Sequence, residues 1–191
     1  MPASFVQVGA ADMVGLTGGA KLRAKLKEIS KRIEGKHDLR VGFLEGATYP
    51  DGKGTSVAQV AWWLNYGTKT APPRPYFTNM IKEKSDKWGT SLANILVLND
   101  YDVTDALKKM GEGISGQLRQ AIIKLDAPRL SPITLMIRQM KIDNPHLEVT
   151  GKIVGEAAAR VAAGDDYSGA STKVGVYTGH LLNSIDYEVK S

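Results

Sequence analysis

The chain has 191 residues, no cysteine, and 25 basic against 20 acidic residues, for a formal charge of +5. Without thiols it builds neither disulfides nor thiolate metal cages, and acids interspersed among its bases deny it the broad positive face of a dedicated nucleic-acid binder. No run approaches the roughly 20 apolar residues needed to cross a bilayer, and Met1-Pro2-Ala3-Ser4 lacks the basic start of a secretory leader. A soluble, unsecreted chain is therefore expected, with a single domain over 1–191, a flexible lead over 1–16 and no membrane partner.

Leu22, Leu26, Ile29 and Ile33 fall at i, i+4, i+7 and i+11, which predicts a helix over about 17–34 with one buried face, closed by Gly35. The excess of bases is concentrated here. Its plain reading is a solvated face; its sharper reading places Lys21, Lys25, Lys27, Lys31 and Arg32 near DNA or an acidic partner. Leu39, Val41 and Phe43 then alternate with Arg40, Gly42 and Leu44, the period of a strand. Tyr49 to Gly54 reads as an exposed turn.

Val57, Val60, Ala61 and Leu64 predict a helix over 56–66, with Thr55 or Ser56 as its cap and Gly67 ending it in a left-handed conformation. Pro72, Pro73 and Pro75 hold the exit loop extended around Arg74. Ile81, Trp88, Leu92, Ile95 and Leu96 fit a helix from Thr78 to Leu96, broken in pattern by Lys84 and weakened by Gly89. After the Asn99–Asp102 punctuation, Thr104 can cap a long helix with Leu107, Met110, Ile114, Leu118, Ala121 and Leu125 on one face. Gly111, Gly113 and Gly116 each cost that helix roughly 1 kcal/mol against alanine, so they should serve a close crossing or a bend.

Pro128, Pro132 and Pro145 bracket a stretch, 128–150, that reads as an extended arm or loop with a turn or two of helix. A short helix from Ile153 to Ala163 ends at Gly164-Asp165-Asp166. Two strand candidates follow, Lys173 to Tyr177 and Ile185 to Val189.

Trp62 and Trp63 are adjacent, so on a helix they point about 100° apart and cannot both face one core. Arg74 stands between two prolines beside Tyr76 and Phe77, and arginine and aromatics are the types that anchor protein interfaces. Trp62, Trp63, Tyr66, Arg74, Tyr76 and Phe77 are thus the candidate subunit-interface residues. The alternative is that Tyr76 and Phe77 enter the core while Arg74 pairs locally.

No constellation points to catalysis. Thr178, His180, Asn183 and Ser184 are neighbours in sequence rather than groups converging on a cleft, and they read as cap and turn residues around Leu181, Leu182 and Ile185. His37, His146 and His180 are isolated, with no pair at i, i+4 to hold a metal. In Gly15-Leu16-Thr17-Gly18-Gly19-Ala20-Lys21-Leu22, Ala20 and Leu22 stand where a phosphate loop requires Gly and Ser or Thr. Neither enzyme nor cofactor is expected.

In order along the chain, Arg40-Val41-Gly42-Phe43, Val60 to Thr68, Pro72-Pro73-Arg74-Pro75-Tyr76-Phe77, Ala121 to Lys124 with Pro128 to Leu135, and Thr178 to Val189 resemble the tail-completion and head–tail joining (neck) proteins of long-tailed bacteriophages. The resemblance spans most of the chain. It implies an α+β fold in which a small antiparallel β-sheet packs against a long α-helix, with additional helices and extended loops. It also implies a structural role without chemistry, in the virion after assembly in the host cytoplasm. The partners would be sister copies in a ring, hexameric or alternatively dodecameric, with neighbouring connector and tail proteins and DNA passing through the lumen without sequence-specific binding. The other function class kept in view is a basic, DNA-binding architectural protein.

Overall fold

Two apolar clusters hold the described helices other than the first. The computed structural model describes residues 18–43, 46–49, 54–175 and 179–190. They form α1 (Gly18–Arg32), β1 (Asp38–Phe43), α2 (Val57–Tyr66), α3 (Tyr76–Leu98), α4 (Val103–Ile123), α5 (Pro132–Asp143), α6 (Gly151–Ala163), α7 (His180–Asn183) and β2 (Ile185–Lys190). The fold is α+β. β1 and β2 pair antiparallel, with Leu39 opposite Val189 and Phe43 opposite Ile185, and this sheet packs on the long helix α4.

α4 organises the larger cluster because its apolar residues recur every three or four positions, putting Leu107, Met110, Ile114, Leu118 and Ile122 inside. Asp102 caps it by accepting from the Asp105 backbone N–H at 2.9 Å. The helix therefore starts one residue before Thr104, the expected cap. A Cβ on Gly111 would lie 2.5 Å from Cδ2 of Tyr187 and 3.0 Å from Cδ1 of Leu39, so the close crossing expected at this glycine is made by the sheet. Gly113 and Gly116 have open space where a side chain would stand.

The second cluster, Met136, Met140 and Ala157 with Ile133, Ile137 and Ile153 around them, joins α5 to α6. Residues 128–150 are therefore not an extended arm. Ser131 caps α5 from its side chain and Pro132 occupies the first helical turn, where its missing N–H costs nothing. The proline that suggested a break is a start signal. Arg138 of α5 ties this hairpin to the following segment through the carbonyls of Ser171 and Lys173.

The candidate strand from Lys173 is likewise corrected: residues 173–175 pair with no strand, and Gly175 has φ +70°, outside the β region. A Cβ there would press on Ile122, Leu181 and Leu64 at 3.2–3.3 Å. α1 forms where expected, but its stripe is not a buried face. Leu22, Leu26 and Ile33 are 61%, 55% and 46% exposed. The expected flexible lead over 1–16, residues 50–53 of the Tyr49–Gly54 turn, and Tyr177 and Thr178 lie outside the described residues.

Candidate subunit interface

The turn from α2 into α3 sorts the six candidate interface residues into two groups. Val57, Ala61 and Asn65, spaced by four, face inward on α2. That rotation turns Trp62 and Tyr66, also spaced by four, outward at 58% exposure each, while Trp63 is 39% exposed. The Trp62 and Tyr66 rings lie tilted with centroids 5.3 Å apart. α2 carries no charged residue, so this face is aromatic and neutral.

Gly67 ends α2 with φ +81°, and a Cβ there would come within 2.8 Å of the Pro73 nitrogen. The chain folds back tightly instead of running out extended. Thr68 closes the turn through its Oγ1, which accepts from the N–H of Ala71 at 3.0 Å, and the Arg74 N–H returns to the Leu64 carbonyl at 2.9 Å.

This fold-back carries Arg74 inside, where it is buried. Its Nε donates to the Pro128 carbonyl at 3.0 Å and its Nη2 to the Arg129 carbonyl at 3.3 Å. Burial pushes the guanidinium below its ordinary pKa. Tyr76 is also buried, with its hydroxyl donating to the Ala61 carbonyl at 3.4 Å. Desolvation, helped by nearby Tyr49, pushes its phenol well above the ordinary tyrosine value. Phe77 packs half-buried against the main core. Arg74, Tyr76 and Phe77 are thus interior to the subunit, because the Gly67 reversal aims them at the chain's own carbonyls and core. Of the six candidates, Trp62, Trp63 and Tyr66 stand at the surface.

Asn65 is a buried polar residue not anticipated from sequence. Its Oδ1 accepts from the N–H groups of Phe77 at 3.1 Å and Thr78 at 3.3 Å, and its Nδ2 donates to Thr78 Oγ1 at 2.8 Å. α3 begins after Pro75, which has no side-chain acceptor, and Asn65 supplies the cap from a different helix. The sequence offers Thr78 as the start of this helix, two residues inside the observed start at Tyr76, so the missing cap at Pro75 is not visible there.

A cleft of about 320 Å³ runs between the aromatic face and β1, lined by Arg40, Val41, Phe43, Trp62, Tyr66 and Phe77 among others. An apolar groove of about 410 Å³ lies between α3, α4 and the start of β1. A larger cavity, about 820 Å³, opens between α3 and α4 around Asn79, Glu83, Lys84, Gln117, Gln120 and Lys124, away from the aromatic face.

The candidate DNA-proximal residues all lie exposed on α1. At about 100° per residue, Lys21, Lys25 and Arg32 fall on one flank of the Leu22–Leu26 stripe, with Lys27 and Lys31 about 120° round the helix from them. Glu28 binds Lys25 at 3.2 Å and Arg32 at 2.7 Å, and Lys25 foremost holds its carboxyl below the usual range. Arg32 also donates to the Asp100 carbonyl at 2.6 Å, tying the end of α1 to the α3–α4 turn.

Among the described residues no group of three or more His, Asp or Glu is placed to hold a metal ion, and no helix is long and apolar enough to cross a membrane. His180 lies against Tyr49, ring centroids 4.8 Å apart, with its Nε2 2.9 Å from the Thr48 carbonyl. Compared with protein-family models, with curated proteins and with solved structures, the chain matches none.

Proposed function

We propose that this chain is a structural virion protein whose copies close into a ring at the head–tail junction, joining tail to head and leaving a channel for the genome. The observation that carries the proposal is the neutral aromatic face of Trp62, Trp63 and Tyr66, held outward by a helix whose other side is fixed by Val57, Ala61 and Asn65. At the exposures given above these rings leave about 350 Å² in water, the size of the largest apolar patch on an ordinary monomer. Patches of that size are often functional. Covering it contributes on the order of 9 kcal/mol, set against association costs of about 4–15 kcal/mol, so the full contact must extend beyond these three side chains. The sequence resemblance to neck and tail-completion proteins supplies the kind of assembly, and ring size follows from a mass measurement of the assembled species.

The test is electron microscopy of phage particles made with and without this protein. Full heads separated from finished tails in its absence are expected; normal joined particles without it would refute the proposal.

A second reading, a DNA-binding architectural protein, draws on the exposed cations of α1. Their spread around the helix and the capture of Lys25 and Arg32 by Glu28 weaken a single phosphate-reading face. Tight duplex binding with a steep salt slope would favour this reading over the ring.

A further inference from the structure

We infer that the outer edge of the Arg74 guanidinium is a binding site for one carboxylate group. Arg74 is the one charged side chain that is buried among the described residues. The five ion pairs that those residues form join exposed partners, and none of them includes Arg74. A buried cation without an anion carries an uncompensated desolvation cost. Burial accordingly stands as the cause of its lowered pKa, with no carboxylate beside it to offset the shift.

The donors left over have a definite shape. A guanidinium carries five N–H groups. Nε and Nη2 use one each on the carbonyls of Pro128 and Arg129, at 3.0 and 3.3 Å, and so fill the side edge of the fork. Nη1 has no acceptor among the described residues, and it is not sealed from solvent. The end edge, Nη1 with the second hydrogen of Nη2, therefore stays open, and its two parallel N–H bonds match the two oxygens of a carboxylate. A lysine ammonium could serve two neutral carbonyls; arginine adds a second, planar edge.

That edge is held in place before any ligand arrives. Pro73 and Pro75 flank Arg74, its backbone N–H is fixed on the Leu64 carbonyl at 2.9 Å, and the Gly67 reversal sets the turn that leads into it. Little ordering cost therefore remains to be met on binding. Pro128 and Arg129 are exposed, so the carbonyls that steady the guanidinium stand at a rim that a group from solvent can approach. A carboxylate suits the site better than a phosphate, whose second charge and further oxygens find no other edge on the buried guanidinium. The site is independent of the ring reading and uses no part of the aromatic face.

The test uses the whole chain. Acetate is titrated against chloride at equal ionic strength while the guanidinium signals of Arg74 are followed by nitrogen NMR. A saturable shift of those signals is expected with acetate and not with chloride. At ten times its dissociation constant, acetate should raise the melting temperature by about 3–6 °C. Arg74→Lys keeps the charge without the paired edge and should weaken acetate by about tenfold or more. N-acetylglutamic acid α-amide, which presents its carboxylate as a partner protein would, separates the sources. Binding as tight as that of acetate assigns the site to an acidic side chain of a partner; binding of acetate without it assigns the site to a small acid. No saturable shift at Arg74, phosphate binding more tightly than acetate, or an acetate response kept in full by Arg74→Lys overturns the proposal. If Arg74→Lys fails to fold, the Arg74 signals of the unaltered chain decide the matter.

Discussion

Arg74 and Pro128, 54 residues apart in the chain, are joined by a hydrogen bond of 3.0 Å from the guanidinium Nε to the proline carbonyl. The bond ties the α2–α3 loop to the exit of α4. Replacing Arg74 with alanine removes its bonds to Pro128 and Arg129; because both residues are exposed their carbonyls turn to water, so each loss costs about 0.5–1.5 kcal/mol. The expected result is a subunit with a lower denaturation midpoint, and one whose residual folded fraction still associates. Denaturant titration followed by sedimentation of the folded fraction checks both parts.

Gly111→Ala places a methyl 2.5 Å from Cδ2 of Tyr187, inside the contact between α4 and β2. Alanine favours the helix by roughly 1 kcal/mol. The overlap costs about 1–3 kcal/mol and outweighs it, because sheet and helix must part to admit the new atom. Net destabilisation is expected in thermal melting; a gain in stability would mean that Tyr187 can swing clear.

Tyr76 gives the fold a dependence on high pH. Burial raises its phenol above the ordinary value of 10.0, so the folded state favours the protonated form. The associated stability is complete below the unfolded value and is lost as pH climbs above it toward the raised folded value. An ultraviolet titration follows the seven tyrosines. Tyr76 should ionise last and together with unfolding. Tyr76→Phe should move that alkaline unfolding to higher pH.

Met136→Ala removes a nearly fully buried side chain from the α5–α6 cluster, at a cost of about 2–5 kcal/mol. That cluster shares no buried residue with the one around α4. Hydrogen exchange should therefore show lost protection in α5 and α6 while the α4 amides around Leu118 keep theirs.

The stripe from Leu107 to Leu118 was legible because helical periodicity and burial coincide in α4. On α1 they separate: periodicity predicts an apolar face but says nothing of what covers it, and Leu22 and Leu26 remain in water. The inward turn of Arg74 is not decided by the sequence around it, since its acceptors lie on a loop more than fifty residues away. Pro132 reads as a breaker in the sequence, yet it stands in the first turn of α5, where proline is favourable. Asn65 showed the opposite failure, a polar residue in an apolar helix whose purpose becomes visible only once Phe77 and Thr78 are placed beside it.

Sedimentation velocity on the purified chain and on a Trp62→Ser, Tyr66→Ser variant tests the interface most directly. The unaltered chain should form one closed species of fixed mass that appears with concentration. The variant should sediment as a monomer with an unchanged melting temperature, since both residues stand at the surface. A monomeric unaltered chain, or a variant that assembles as readily as its parent, would contradict the assignment of the α2 aromatic face as the grip between copies.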